Sequence, residues 1–307
     1  MPHSSLKYHL PVRVRGYDVE AGANLICANL AGANLSGIDM SLSNLSGANL
    51  VGANLSGANL SGANLSEANL TDADLQTKHL VPTILTNANL TNANLTNANL
   101  IGTWLNGATL SNTNLRNAKR LRSVLLSEAN LSGTDLSGAY FERVSLNGAD
   151  LSGADLSRAD LSYAALLKAN LSGANLSEAS LYGANMSRAN LTNTCLNRAV
   201  LPDQLTGANL TGVDLSGRML AEVQLGGANL TAANLSRANL IRTWLTGANL
   251  SNANLAGADL SLAYLTRANL TGANLAEANF SDAILKGARL TGANLKGATM
   301  PDGRIHG

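Results

Sequence analysis

A leucine stands at every fifth position through most of this chain, and that period excludes most folds. The interval is five from Leu25 to Leu115, slips to six at Leu121, and is five again to Leu201. It shortens to four at Leu205 and continues at five to Met300, giving 56 words of the type "SGANL". The residue two before each central position is almost always Ala. Asn or Asp stands between, Ser or Thr follows, and Gly is common in the last place. A period of five fits neither a continuous helix nor a long strand. Ala and Leu two apart lie on one side of an extended segment, with Asn on the other. The remaining pair makes a polar, glycine-tolerant corner. A solenoid that turns a corner every five residues, with Leu and Ala stacked inside, meets both conditions.

The word A(N/D)LXX, repeated over residues 21–300, resembles the pentapeptide-repeat family. The resemblance implies an all-β fold, a right-handed quadrilateral parallel β-helix with four words per coil and about 14 coils. Left-handed hexapeptide helices need a period of six and are rejected. Residues 1–20 are expected to be an N-terminal cap or arm, 21–300 the helix and 301–307 a tail. In "LPVRVRGYDVE", Val12 and Val14 alternate with Arg13 and Arg15, as in a degenerate capping strand; an arm docked on a partner is the rival reading. Pro301 is expected to stop the ladder at the other end.

Charged residues are 13% and the net charge is +1, which gives no support for binding nucleic acid or an anionic membrane. No run of 18 apolar residues exists, so no spanning helix is expected. The N-terminus lacks a signal-peptide core, and a cytoplasmic location is expected. Two cysteines, Cys27 and Cys195, suit a reducing compartment without a disulfide framework; both face outward, far apart. The histidines, His3, His9, His79 and His306, lie in the tails or in one irregular word and form no three-His metal site. No Ser/His/Asp grouping, P-loop or dinucleotide fingerprint occurs. An interior filled by Leu and Ala leaves no room for a buried pocket, so neither enzyme activity nor a cofactor is expected. Two words, "QTKHL" and "SGRML", put Lys78 and Arg218 in the inward slot. An unpaired charge there is costly, so each is expected to bulge outward or to have a buried partner.

Four words per coil sort the outward slots onto four faces. On the face of Leu35, 13 of 14 slots are Asn or Asp; on the face of Leu25, only 4 of 14 are, so that face departs from the ladder. By simple counting, that face carries two apolar triplets, Ile84–Trp104–Leu125 and Trp244–Tyr264–Ile284, with Lys168, Arg188 and Arg267 at its corner. Contiguous exposed apolar residues mark binding sites, and aromatics are enriched at hot spots. The competing explanation is that bulky residues stabilise the sheet face by stacking. The expectation is a non-enzymatic scaffold or adaptor that binds other proteins along this face. The family's abundance in cyanobacteria suggests a subunit or linker of a larger assembly, such as a light-harvesting antenna. A DNA-mimic protein that binds a topoisomerase (gyrase) is the alternative, but those family members present a strongly acidic surface, and +1 does not supply one.

Overall fold

The computed structural model describes residues 12–115, 121 and 124–307. They fall into two compact units, Met1–Lys119 and Arg120–Gly307. Each is a right-handed quadrilateral β-helix. The outward residue of a word pairs in parallel with the outward residue one coil later, as Asn170 does with Asn190. Three backbone bonds make the side: Leu171 N to Asn190 O at 2.8 Å, Asn190 N to Ala169 O at 2.9 Å, and Gly173 N to Thr192 O at 2.9 Å. The corner closes when Ala174 N donates to Leu171 O at 2.9 Å. Gly173, third in that turn, has φ 67°, the sign a type II turn demands there. This is why the last place of the word favours Gly, which adopts positive φ without a steric penalty.

The same repetition builds the interior. Ala and Leu of each word stack on those of the next coil; Ala154 and Leu156 are fully buried. The outward Asn has two tasks. Asn190 Oδ1 accepts from Thr192 N at 3.2 Å, fixing the corner, while its Nδ2 donates to Asn170 Oδ1 at 3.0 Å, tying adjacent coils. Asp performs the first task and accepts the ladder bond, as Asp150 does from Asn170 at 2.9 Å. Several words carry Thr in the inward slot. Thr243 is buried, and its hydroxyl donates to Leu220 O at 2.8 Å, so no buried polar atom is stranded there.

At the start of the first unit a hairpin precedes the coils: β1 (Val12–Val14) pairs antiparallel with β2 (Tyr17–Val19). Val19 is buried, Asn29 N donates to the Tyr17 hydroxyl at 3.2 Å, and Ser43 Oγ donates to Glu20 O at 3.0 Å. The hairpin is thus fastened to the first coils. Residues 1–11 of the expected cap or arm lie outside the described residues. At the other end of the chain Pro301 sits in a turn that reverses direction, and Ile305 pairs antiparallel with Thr299.

In the first unit the count of four words per coil fails at one place. Asn59 pairs with Ile84, Asn64 with Asn89 and Asn69 with Asn94, an interval of 25 rather than 20. The extra residues leave the wall as a hairpin in which Lys78 and Val81 exchange both backbone bonds at 2.8 Å. Thr83 stitches its base: the hydroxyl accepts from Gly57 N at 2.8 Å and lies 3.1 Å from Leu55 O. Because the hairpin removes one whole word, the leucine period survives while the face assignment shifts. Ile84 and Trp104 therefore stack above Asp39 and Asn59, not above Asn24, Asn44 and Asn64 as counting implies. The word centred on Leu80 belongs to no coil. Lys78 lies outside the regular cross-section, as expected, with Nζ 3.1 Å from Ser36 Oγ.

The two central residues of this hairpin, His79 and Leu80, have φ 46° and 69°, and Leu80 is 96% exposed. Two consecutive positive φ values define a tight turn that favours Asn-Gly. The double change His79→Asn with Leu80→Gly is expected to raise stability by about 1 kcal/mol by relieving left-handed strain. A thermal melt at or below that of the parent contradicts this turn.

The second irregularity lies in the second unit. The four-residue word from Leu201 to Leu205 takes one residue out of a coil. Pairing holds at Asn185–Gln204 and Asn190–Asn209 and resumes at Gln204–Gln224, but Cys195 does not pair with Asp214, nor Val200 with Met219. Arg218 occupies the inward slot with a regular backbone: its carbonyl accepts from Asn239 N at 2.9 Å. Its guanidinium donates to Ala199 O, the carbonyl that the missing ladder amide leaves free. Arg218 thus has the partner its placement requires. The opened wall is a cleft of about 310 Å³, lined in part by Cys195, Asn197, Asp214 and Arg218. One missing residue thus unzips two sides of a coil and opens a concavity in the wall, while the interior of Leu and Ala stays closed.

Candidate protein-binding face

In the second unit one ladder runs Leu125–Ser145–Ala165–Asn185–Gln204–Gln224–Trp244–Tyr264–Ile284. The expected row of Trp244, Tyr264 and Ile284 therefore occupies three consecutive coils. The Trp244 and Tyr264 rings stack with centroids 4.6 Å apart and 23° between planes. Trp244 is 51% exposed and Ile284 45%. Thr243, inward of the tryptophan, bonds to a backbone carbonyl, so the word "IRTWL" keeps the wall intact while replacing the outward Asn by an indole. A shallow groove of about 280 Å³ lies beside the ring, bounded by Thr206, Gln224, Gly226 and Thr246.

Lys168, Arg188 and Arg267 take the third turn position at the corner that follows this ladder, with φ of 60°, 60° and 57°. All three are exposed. The stems of Arg188 and Arg267 lie over Gly207 and Gly287 of the following coil, where a β-carbon would meet Cγ at 3.3 and 3.6 Å. Small corners one coil on give the long side chains a bed and leave their charges in water.

The expected triplet of Ile84, Trp104 and Leu125 is divided between the two units. Ile84 and Trp104 are neighbours in the first unit, with Trp104 41% exposed. Leu125 belongs to the second unit, where it pairs with Ser145.

Sorting only outward slots overlooks the corners. Tyr163 and Tyr182 meet edge-to-face at 5.5 Å, and the Arg143 guanidinium lies 5.5 Å from the Tyr163 ring. The ring rests on Gly183, where a β-carbon would approach it to 2.7 Å. The legible signal was bulky residues in the glycine place twenty residues apart, at 143 and 163.

Among the described residues no group of three or more His, Cys, Asp or Glu is placed to hold a metal. No helix among them is long and apolar enough to cross a membrane. The carboxyls of Asp39 and Asp214 are held below the usual carboxylate range, first by the backbone amides of Ser41 and Ser216. That is the Asx corner bond seen throughout the ladder, with no catalytic pairing.

The family model for pentapeptide repeats matches in eight copies: residues 23–62, 48–77, 83–119, 125–162, 164–201, 204–237, 233–272 and 263–300. No curated protein matches. Among solved structures, the chain is similar to HetL, a pentapeptide repeat protein involved in heterocyst differentiation regulation from the cyanobacterium Nostoc sp. strain PCC 7120. Identity is 32%, over 95% of this chain and 94% of that one, with a TM-score of 0.22. A pentapeptide repeat protein from the Arabidopsis thaliana thylakoid lumen is 39% identical over 32% of this chain and 71% of its own, with a TM-score of 0.21. Full-length QnrB1, a plasmid-mediated fluoroquinolone resistance protein, is 15% identical over 85% and 90%, with a TM-score of 0.22. Superpositions at these scores carry no argument; the repeat match does. The word that builds the walls, corners and ladders is the one the family model detects over most of the sequence, and the chain belongs to the pentapeptide-repeat family.

Proposed function

We propose that this protein is a non-enzymatic binding module that docks a partner protein on the Trp244–Tyr264–Ile284 row of its second unit. The observation that carries the reading is the half-exposed Trp244 ring stacked on a more buried Tyr264, both in slots that Asn fills elsewhere. Asn there fixes a corner and ties coils together, whereas the indole gives up both bonds and presents apolar surface to water. Partner contacts recover that loss, with aromatic anchors at the centre and polar groups around them. Arg188 and Arg267 on the adjoining corner favour a partner with carboxylates at the rim of the contact. In this reading Ile84 and Trp104 are a separate, smaller contact on the first unit. The module serves as a cytoplasmic adaptor, a subunit or linker of a larger assembly.

The test is affinity capture with the wild type and the Trp244→Asn variant in parallel, followed by mass spectrometry. Trp244→Asn restores the repeat word, so the fold is expected to stay intact. A protein enriched by the wild type and lost with the variant supports the row as the contact. Equal capture of every specific protein by both removes it.

A further inference from the structure

Along the Trp244 row the wall offers a partner no backbone. The amides of Trp244, Tyr264 and Ile284 donate to Val223 O, Thr243 O and Ala263 O at 3.0, 3.0 and 2.9 Å. Their carbonyls accept from the amides of Leu225, Leu245 and Leu265 at 2.8, 2.8 and 2.9 Å. A strand cannot be added to a ladder that is complete, so an occupant must bring a backbone already satisfied within itself. The two corners that border the row differ in charge. The preceding corner exposes Asp203, Glu222, Arg242, Leu262 and Asp282. Arg242 Nη1 lies 3.6 Å from Glu222 Oε1, so the surplus on this side is acidic. The following corner exposes Arg188, Arg267 and Lys286 and has no carboxylate over the same coils. Between its two arginines that corner is low, built on Gly207, Gly227 and Gly247. Tyr264 covers one face of the indole, and the groove of about 280 Å³ lies on the other, toward Gln224.

We propose that the occupant of the row is an amphipathic α-helix of the partner protein, laid along the stack of coils, with carboxylates on the flank toward Arg188, Arg267 and Lys286 and cations on the flank toward Asp203 and Asp282. This rests on the row being the contact, and adds what kind of element fills it. A helix satisfies its own backbone and presents only side chains, as the closed ladder requires. The dimensions agree. A wall side of three extended residues is about 10 Å wide, and a helix with its side chains is about 10–12 Å across. Helical turns repeat every ~5.4 Å and coils every ~4.8 Å. Apolar residues at i, i+4 and i+7 therefore keep step with Trp244, Tyr264 and Ile284 to within about 1 Å over the three. A large apolar side chain one turn further along stacks on the free face of Trp244 in the groove. Leu262, exposed on the preceding corner, widens the apolar strip beside Tyr264.

The experiment titrates the whole chain into fluorescein-labelled peptides of about 18 residues, long enough to hold a helix, and reads anisotropy at low salt. All carry Leu at i, i+4 and i+7. The first has Glu on one flank and Lys on the other, the second Lys on both, the third Glu on both, and the fourth is the first with a central Pro. The first is expected to bind about tenfold more tightly than the second and third, by charge complementarity, and than the fourth, whose helix is broken. In the double variant Arg188→Glu with Arg267→Glu, the peptide with Lys on both flanks is expected to become the tightest. Glu already fills that turn position at Glu178, φ 60°, so the fold is expected to hold, and circular dichroism checks it. No binding by the first peptide, a proline peptide that binds as well as it, or an order of affinities unmoved by the double variant overturns the proposal. A captured partner that is lost with Trp244→Asn but not displaced by the first peptide leaves the row as a contact and overturns the helix alone. Binding of the first peptide unchanged by Trp244→Asn removes the row itself.

Discussion

Leu156→Asp is expected to abolish cooperative folding of the second unit, or to destabilise it by about 4 kcal/mol or more, because a carboxylate has no partner in an interior of Leu and Ala. Leu156 is fully buried, and its amide donates to Asn175 O at 2.7 Å, so it stands in the middle of the ladder. The damage extends along the stack, because each coil buries its apolar face only against its neighbours. Leu156→Met, nearly equal in volume, is the control and is expected to cost less than about 1.5 kcal/mol. Urea unfolding followed by circular dichroism measures both. An aspartate variant with the parent's midpoint removes Leu156 from the interior.

Phe280→Ala is the second large effect. Phe280 occupies a central slot that Leu fills in most words, and it is fully buried. Truncating it to Ala leaves a cavity and is expected to cost about 3–5 kcal/mol. Phe280→Leu restores the common word and is expected to cost less than about 1.5 kcal/mol, since a wall built for Leu recloses around it. Comparable losses in the two variants would mean that aromatic shape at this coil matters more than filled volume.

Legibility in the sequence differs from residue to residue for physical reasons. Leu156, Asn190 and Gly173 were placed correctly by period alone, because each does the same task in every coil. Trp244, Tyr264 and Ile284 were placed correctly because an uninterrupted interval of twenty joins them. Ile84 was not. A five-residue hairpin has the length of one word, so it leaves the leucine count untouched while moving the later words of the first unit by one face. Its marks were present in Lys78 and Pro82, but a cation in an inward slot signals irregularity without saying how the chain resolves it. Arg218 shows the same ambiguity: its slot stayed regular, and the side chain bridged to Ala199 O across a wall unzipped by the short word. The Tyr163–Tyr182 contact was hidden because corner residues point away from the ladder on which the faces were sorted.

The most direct test of the docking row measures two quantities on one variant. For the partner captured by the wild type, the Kd and the melting temperature are determined for wild type and Trp244→Asn. The account predicts a loss of affinity of roughly 30-fold or more, corresponding to a hot spot of at least about 2 kcal/mol, with little change in melting. Unchanged affinity together with a lower melting temperature would contradict it, and would make the stacked rings of Trp244 and Tyr264 a brace for the sheet face instead of a contact.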